Sequence, residues 1–199
     1  MKIMGKKNRW VIVGTLSIIL IFITVMTWFY PFSILSVKKS YTYQSEQVLS
    51  NGRSYNEILS DFKKSFAKDL ESDSENEYPN FTIFETRRIL SVFEQDLLIS
   101  NDPVSIDRVT LDVMFGDVKR VREILLDLVA QADYTSEQRK YLIDTIINNL
   151  LIMEDNITAL KNDPFITRSE LNWRLDNLHS SFLSVFNTFI FFYDDVISG

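Results

Sequence analysis

An uncharged stretch of 21 residues, from Trp10 to Tyr30, restricts the structure of this chain more than any other feature of its sequence. Each residue of an α-helix rises about 1.5 Å, so the stretch spans about 31 Å, the thickness of a bilayer's hydrocarbon core. Its serine and threonine hydroxyls can donate hydrogen bonds back to helix carbonyls, which costs little in lipid. We therefore predict that residues 10-30 form a transmembrane helix whose partner is the lipid bilayer, and not a buried core helix.

Aromatic residues mark both ends of this stretch. Trp10 lies at one end, and the other end carries Trp28, Phe29 and Tyr30. Such rings favour the headgroup layers of a bilayer, and Pro31 stops the helix. The alternative is a cleavable signal, whose apolar core has about 7 to 15 residues followed by small residues. The longer run and its bulky aromatic end favour a retained signal-anchor.

Basic residues concentrate before the stretch, and they are Lys2, Lys6, Lys7 and Arg9. After the stretch, the nearest basic residues are Lys38 and Lys39. Because an excess of positive charge marks the cytoplasmic side of a transmembrane helix, residues 1-9 are expected to form a short basic cytoplasmic tail. The rest of the chain is then expected to be extracytoplasmic, at the cell envelope, in a single-pass protein of the cell membrane.

The part of the chain after the anchor is acidic. Four of the 21 lysine and arginine residues precede the apolar stretch, so 17 are set against 27 aspartate and glutamate residues in the rest. This balance predicts no nucleic-acid partner, because such a surface needs clustered basic residues. The chain has no cysteine, which excludes disulfides, thiolate metal sites and lipid attachment at cysteine.

Apolar residues recur at helical spacing in five stretches after the anchor. These stretches cover roughly residues 55 to 71, 83 to 99, 104 to 132, 136 to 161 and 168 to 196. In the third, Val109 and Val113 are expected to share a buried face with Val121. Short loops between the three longest stretches favour antiparallel neighbours. The predicted fold is therefore all-α: a single N-terminal transmembrane helix followed by an elongated antiparallel helical bundle of about five helices.

Local signals divide the chain after the anchor. Residues 31-53 are predicted to form a juxtamembrane connector, in which a Tyr-Thr-Tyr run at 41 to 43 favours extended backbone. Residues 54-199 form the predicted extracytoplasmic helical bundle domain. Four capping boxes, in which a hydroxyl and an acid or amide side chain satisfy free amides of the first turn, mark predicted helix starts. They begin at Ser54, Thr82, Thr135 and Thr167.

His179 is the only histidine, and Asp176 lies three residues before it on the same helical face. The pair is a weak candidate for a metal site, by analogy with the Glu-x-x-His motif that di-metal bundles carry on two helices. Here a second histidine does not exist and the acid is aspartate, so the pair is expected to be exposed or partly exposed polar surface. The sequence contains no nucleophile turn, phosphate loop or dinucleotide motif. We therefore predict no cofactor, no bound metal and no enzymatic activity.

The C-terminal stretch from Phe182 to Gly199 is apolar all the way round the helix near its centre. Three interpretations are open: the central helix of the bundle core, which is favoured, docking of a partner, and contact with the membrane. The residues that would carry the docking are Phe189, Phe191, Phe192 and Tyr193.

These features favour a binding function. The leading hypothesis is a single-pass membrane-anchored protein whose acidic extracytoplasmic bundle is a protein-interaction or assembly module for an unknown protein partner. The alternative is a small-molecule or metal-binding, sensor-like bundle that works with a membrane partner. An enzyme that uses surface carboxylates is the third hypothesis.

Overall fold

The structure is a computed structural model that describes residues 6–45 and 52–198, with side chains from 10 to 45 and from 52 to 197. The molecule is mostly helical, which confirms the predicted all-α class. Its α-helices are α1 (Lys6–Phe29), α2 (Tyr55–Asp73), α3 (Phe81–Leu90), α4 (Asp96–Ile99), α5 (Arg108–Gln131), α6 (Ser136–Tyr141), α7 (Asn148–Asn162) and α8 (Arg168–Ser198). The other elements are strands β1 (Ser40–Tyr43) and β2 (Val104–Asp107), a 3₁₀ turn (Ser91–Glu94) and a π-helical segment (Leu142–Ile147).

Helix α1 projects from the rest of the molecule. Large apolar side chains are exposed along it, from Trp10 (72%) to Trp28 (64%). Its hydroxyls donate back to the preceding turn, as Thr24 does to the Leu20 carbonyl at 2.8 Å. Among the described residues, α1 is the one helix long and apolar enough to cross a membrane, over Trp10–Phe29.

Strands β1 and β2 pair antiparallel, with Ser40 opposite Asp107. The extended backbone predicted for the Tyr-Thr-Tyr run is confirmed. The helix predicted from residue 104 is wrong at its start, because the first four residues pair with β1 and helix α5 begins only at Arg108. There the Asp107 carboxylate accepts a hydrogen bond from the Thr110 amide at 2.7 Å and caps the helix. The predicted connector is therefore pinned to the bundle by a strand pair.

The buried face of α5 differs from the predicted one. Val109 and Val113 were expected inside, but they are 68% and 58% exposed. The buried stripe contains Leu111, Met114 and Val118 before Val121. At about 100° per residue, Val109 lies about 120° around the helix from Val121, which turns it away from the bundle.

The helix starts confirm part of the capping predictions. Complete capping boxes form at Ser54 and Thr135, and Thr167 accepts a hydrogen bond from the amide three residues on, at 3.2 Å. The prediction at Thr82 is wrong, because α3 begins at Phe81, two residues before the predicted start, and is capped by Asn80. The Asn80 side chain accepts from the amides of Thr82 and the next residue at 2.9 and 3.3 Å. Thr82 is itself buried in the first turn.

The second predicted helix, residues 83 to 99, is divided into α3, the 3₁₀ turn and α4. Ser91 follows the last residue of α3, and its hydroxyl donates to the Arg88 carbonyl at 2.9 Å, which competes with the helical hydrogen bonds there. Gln95 then takes an extended conformation before α4. The chain therefore turns twice where the apolar periodicity predicts a single helix.

Three long rods form the body of the bundle: α5, the continuous run of α6, the π-helical segment and α7, and α8. Ion pairs join α5 to α7, with Arg122 Nη2 3.2 Å from Glu154 Oε2 and Lys161 paired to Asp112. The earlier residue of α5 pairs with the later residue of α7, so these two rods are antiparallel, as predicted.

The aromatic residues of α8 fill the centre of the bundle. Phe189, Phe192 and Tyr193 are at most 2% exposed, so the docking interpretation is wrong for these three. Their rings are covered by other elements: the Phe62 ring of α2 lies 5.2 Å from that of Tyr193, and the Tyr134 ring lies 5.3 Å from that of Phe192. The helix is apolar all round because other elements pack against more than one of its sides.

Candidate functional site

Arg168, the first residue of α8, holds the end of helix α1. Its Nε donates to the backbone carbonyl of Trp28, and its guanidinium lies over the Trp28 ring, 5.1 Å from the centroid. The same guanidinium is 5.9 Å from the centroid of the Tyr41 ring in β1. A charge-assisted hydrogen bond and two cation–π contacts therefore join α1, β1 and α8 at one point.

Further contacts fix the direction in which the chain leaves α1. The Tyr30 ring packs edge-on against Phe165, with centroids 6.4 Å apart. Arg108 Nη2 donates to the Phe32 carbonyl at 3.0 Å. The Val37 amide donates to Oγ1 of Thr27 at 3.0 Å, which folds the connector back onto the helix. Helix α1 thus meets the bundle at a packed junction.

The predicted interface residues lie at the two ends of α1. Trp10, Trp28 and Phe29 are more than half exposed, and Tyr30 is half-buried against Phe165. The basic residues predicted to set the topology can be placed only in part. Lys2 lies outside the described residues, and the first turns of α1 contain Lys6, Lys7 and Arg9.

Around this junction, five large apolar side chains are exposed. They form a group that we name the collar, consisting of Ile34 (77%), Leu35 (44%), Val37 (80%), Val109 (68%) and Phe165 (66%). Ile34 and Val109 line one small cavity of about 190 Å³ beside Arg108. Lys38 and Lys39 follow directly and are also exposed.

At the opposite end of the bundle, α6 and α8 enclose a groove of about 580 Å³. We name it the distal groove, and its lining is Thr135, Glu137, Gln138, Tyr141, Phe191, Phe192 and Asp195. Phe191 is 71% exposed and Tyr141 is 40% exposed, so its floor is aromatic. Phe191 is 23 residues after Arg168 on α8, about 35 Å along the helix axis. Of the four predicted docking residues, Phe191 is the one left accessible.

The rim of the distal groove is acidic. Glu137 and Asp195 line it, and Gln138 Nε2 donates to Asp195 Oδ2 at 2.8 Å. The groove therefore combines an apolar floor with a negative edge.

One cation near the groove, Arg139, already binds backbone carbonyls. Arg139 Nη2 donates to the Ala132 carbonyl at 2.8 Å, its Nε donates to the Tyr134 carbonyl at 3.1 Å, and its Nη1 donates to the Val129 carbonyl. These donors satisfy carbonyls at the end of α5. Arg139 thus stabilises a helix terminus, and the groove keeps its negative edge.

Asp176 and His179, the weak metal candidates, have separate environments. Asp176 accepts hydrogen bonds from the Tyr43 hydroxyl and from Asn172 Nδ2, both at 2.9 Å, and Asn172 Oδ1 accepts from the Tyr41 hydroxyl at 2.9 Å. This chain of hydrogen bonds attaches β1 to α8. Across the described part of the chain, three or more acidic or histidine side chains nowhere converge to hold a metal ion.

The expectation that both members of this pair are at least partly exposed is wrong for His179, which is 5% exposed. Burial lowers the pKa of His179, and the charge of Asp176 opposes that shift. His179 therefore belongs to the interior of the bundle.

A second cavity of about 410 Å³ lies between the 3₁₀ turn, β2 and α5. Gln95 borders it and donates from Nε2 to Asp117 Oδ2 at 3.4 Å. Its Oε1 is the buried side-chain atom that has no hydrogen-bond partner within the described ranges. This cavity is smaller than the distal groove and has one buried acceptor.

Comparison with known protein families, with curated proteins and with solved structures gave no match for this chain. Sequence reasoning missed Arg168 and Arg108, whose contacts bring together distant parts of the chain, and Tyr141, which lines the distal groove. For Arg168 a signal was present: it is a lone cation at the start of a helix, where a cation opposes the helix dipole unless it has another partner.

Proposed function

We propose that this chain is a single-pass membrane protein, with its N-terminus in the cytoplasm and an acidic extracytoplasmic bundle that binds a protein partner at the cell envelope. The observation that carries the proposal is that α1 exposes apolar side chains along its length while its last turn packs against the bundle. In water such a helix would leave a large apolar surface exposed, whereas a bilayer solvates it.

The junction supports a retained anchor over a cleaved signal. Arg168 and Phe165 contact the last turn of α1 and the residue after it. Removing α1 would leave the Arg168 guanidinium without its Trp28 carbonyl and ring, and Phe165 without Tyr30. A segment made to be discarded does not need such contacts with the domain that remains.

The distal groove supports binding to a protein partner. Its exposed aromatic floor at Phe191 and Tyr141 can take one or two apolar anchor side chains, which is how the centres of protein interfaces are built. Its acidic rim at Glu137 and Asp195 favours basic residues beside those anchors. The proposed partner segment is therefore amphipathic and basic. It would be met about 35 Å from the membrane end of α8.

Membrane extraction and protease accessibility test the proposed anchor and topology. The full-length chain, expressed in a bacterial host, should stay in the membrane after alkaline carbonate washing and keep its full length. In spheroplasts, protease added outside should digest the bundle. Leu16→Lys together with Leu20→Lys should release the protein, because both side chains lie on the exposed surface of α1 and charge is costly in lipid.

A soluble or shortened wild-type protein would contradict the anchor. A bundle protected from protease in spheroplasts and digested only after lysis would reverse the topology. The matched control is Tyr78→Lys, which adds a charge at an 83% exposed position outside α1 and should leave membrane retention unchanged.

Small-molecule binding is a second candidate, favoured by the unpaired Gln95 Oε1 beside the second cavity. A ligand with a hydrogen-bond donor would satisfy this buried acceptor. Thermal shifts measured with a panel of small polar compounds test this candidate. Any compound that stabilises the wild type should lose its effect on Gln95→Leu, and a panel without such a compound counts against the candidate.

A further inference from the structure

The collar is unusual because large apolar side chains are grouped on a surface that the bundle leaves uncovered. Val37 and Ile34 are 80% and 77% exposed. Phe165 is 66% exposed and lies in the short loop between α7 and α8. Single exposed apolar residues are common on protein surfaces, but a contiguous apolar patch marks contact with a partner or a membrane.

The depth of the collar follows from its contacts with α1. If Trp10 and Trp28 mark the two headgroup layers, Trp28 and Tyr30 lie at the outer one. The Phe165 ring centroid is 6.4 Å from that of Tyr30, so Phe165 lies within a few ångströms of the same depth. Val37 is held there too, because its amide donates to Thr27 of α1 at 3.0 Å.

The segment after α1 is too tightly folded to act as a stalk. The Ser33 amide donates to the Tyr30 carbonyl and the Ser36 amide donates to the Ser33 carbonyl, both at 3.0 Å. Phe32 is 2% exposed, and its carbonyl accepts from Arg108 of α5. The bundle therefore begins directly at the end of the anchor.

We propose that the collar enters the outer headgroup layer of the same bilayer that holds α1, so that the bundle is seated on the membrane. The occupant of this apolar surface is lipid, because the surface is continuous with the anchor helix. Lys38 and Lys39 lie beside the collar, where their ammonium groups can reach lipid phosphates while their alkyl stems stay near the apolar layer. This inference rests on the proposed anchor.

Depth-dependent fluorescence quenching in liposomes tests the inference on the full-length chain. The sequence has no cysteine, so single substitutions give unique labelling sites. An environment-sensitive fluorophore is placed at Val37→Cys or Phe165→Cys, and the liposomes contain phosphatidylcholine with a nitroxide near the headgroup. Both sites should lose most of their fluorescence.

Two further sites serve as references. Ile18→Cys, 69% exposed in the middle of α1, should be quenched by a nitroxide deep in the acyl chain. Tyr78→Cys matches Val37 in exposure, at 83%, but follows the far end of α2, and it should keep its fluorescence with either quencher.

The outcomes separate the two proposals. Quenching at Ile18→Cys without quenching at Val37→Cys and Phe165→Cys would overturn the collar inference and leave the anchor intact. Absence of quenching at Ile18→Cys would overturn the anchor, and the collar inference with it. Equal quenching at Tyr78→Cys and Val37→Cys would overturn the collar inference as well, since apolar exposure in general would then explain the signal.

Discussion

At His179, the local sequence pattern and the packing of the bundle indicate different roles. Its spacing from Asp176 on a helix resembles half of a metal site, yet it is 5% exposed and its pKa is lowered by burial. An imidazole in such an environment is held in its neutral form. The role of His179 is therefore in the stability of the bundle.

The shifted pKa of His179 predicts a pH dependence of stability. A lowered pKa in the folded state means that the unfolded chain binds more protons below about pH 6.5, so the free energy of unfolding should fall as the pH drops from 7 towards 5.5. The contribution of one group cannot exceed about 1.4 kcal/mol per pH unit. Urea unfolding at several pH values measures this slope.

His179→Gln should flatten that slope between pH 7 and 5.5, because the titrating group is removed. Asp176→Asn is the control for the opposing charge: without it the pKa of His179 falls further, and the slope should persist. A wild-type slope that is unchanged in His179→Gln would assign the pH dependence to other groups.

At the scale of elements, the contact between α5 and α7 includes a largely buried ion pair. The side chains of Arg122 and Glu154 are 20% and 8% exposed. Removing one partner of such a pair leaves a charge without compensation, which costs more than the pair itself contributes. By contrast, Lys119 and Glu123 form an exposed pair along α5, at 3.9 Å.

Arg122→Ala should therefore lower the free energy of unfolding by about 2 to 4 kcal/mol, as measured by denaturant unfolding. Combining Arg122→Leu with Glu154→Leu should restore most of that loss, since neither charge then remains buried. Lys119→Ala, the matched control on the same helix, should change stability by less than about 0.5 kcal/mol. Equal losses for Arg122→Ala and Lys119→Ala would contradict this account.

The element boundaries show where sequence reasoning succeeded and where it did not. Complete caps at Ser54 and Thr135 were predictable because a capping box lies within four residues. The pairing of residues 104–107 with β1 was not, because the two strands are more than 60 residues apart and each is only four residues long. The exposure of Val109 was missed because residue type alone does not show which side of a helix its neighbours cover.

At the scale of the whole molecule, the bundle has two different ends. The end that contacts α1 carries the collar and the cations Arg108 and Arg168, whereas the other end carries the distal groove with its acidic rim. This difference between the two ends suits the proposed function, in which one end lies at a bilayer and the other binds a partner.

Crosslinking from the distal groove tests the partner proposal. A photoreactive phenylalanine analogue in place of Phe191 should give a discrete crosslinked protein in membranes, and the same analogue at the exposed Tyr78 should not. Asp195→Lys should reduce that crosslink, because it reverses a rim charge. Equal crosslinking from Phe191 and Tyr78 would count against a specific groove partner.

The long apolar helix, its aromatic ends, most of the later helical stretches and the acidic balance of the residues after α1 can all be predicted from the amino-acid sequence. These properties depend on residue type and on spacing within a few turns, which hydropathy and periodicity record directly. Packing between the helices, by contrast, decided that Phe189 and His179 are buried while Phe191 is exposed. It also decided that Arg168 meets Trp28 across 140 positions in the chain. Burial and contact are properties of the assembled surfaces, and several packings of these helices satisfy the same local pattern.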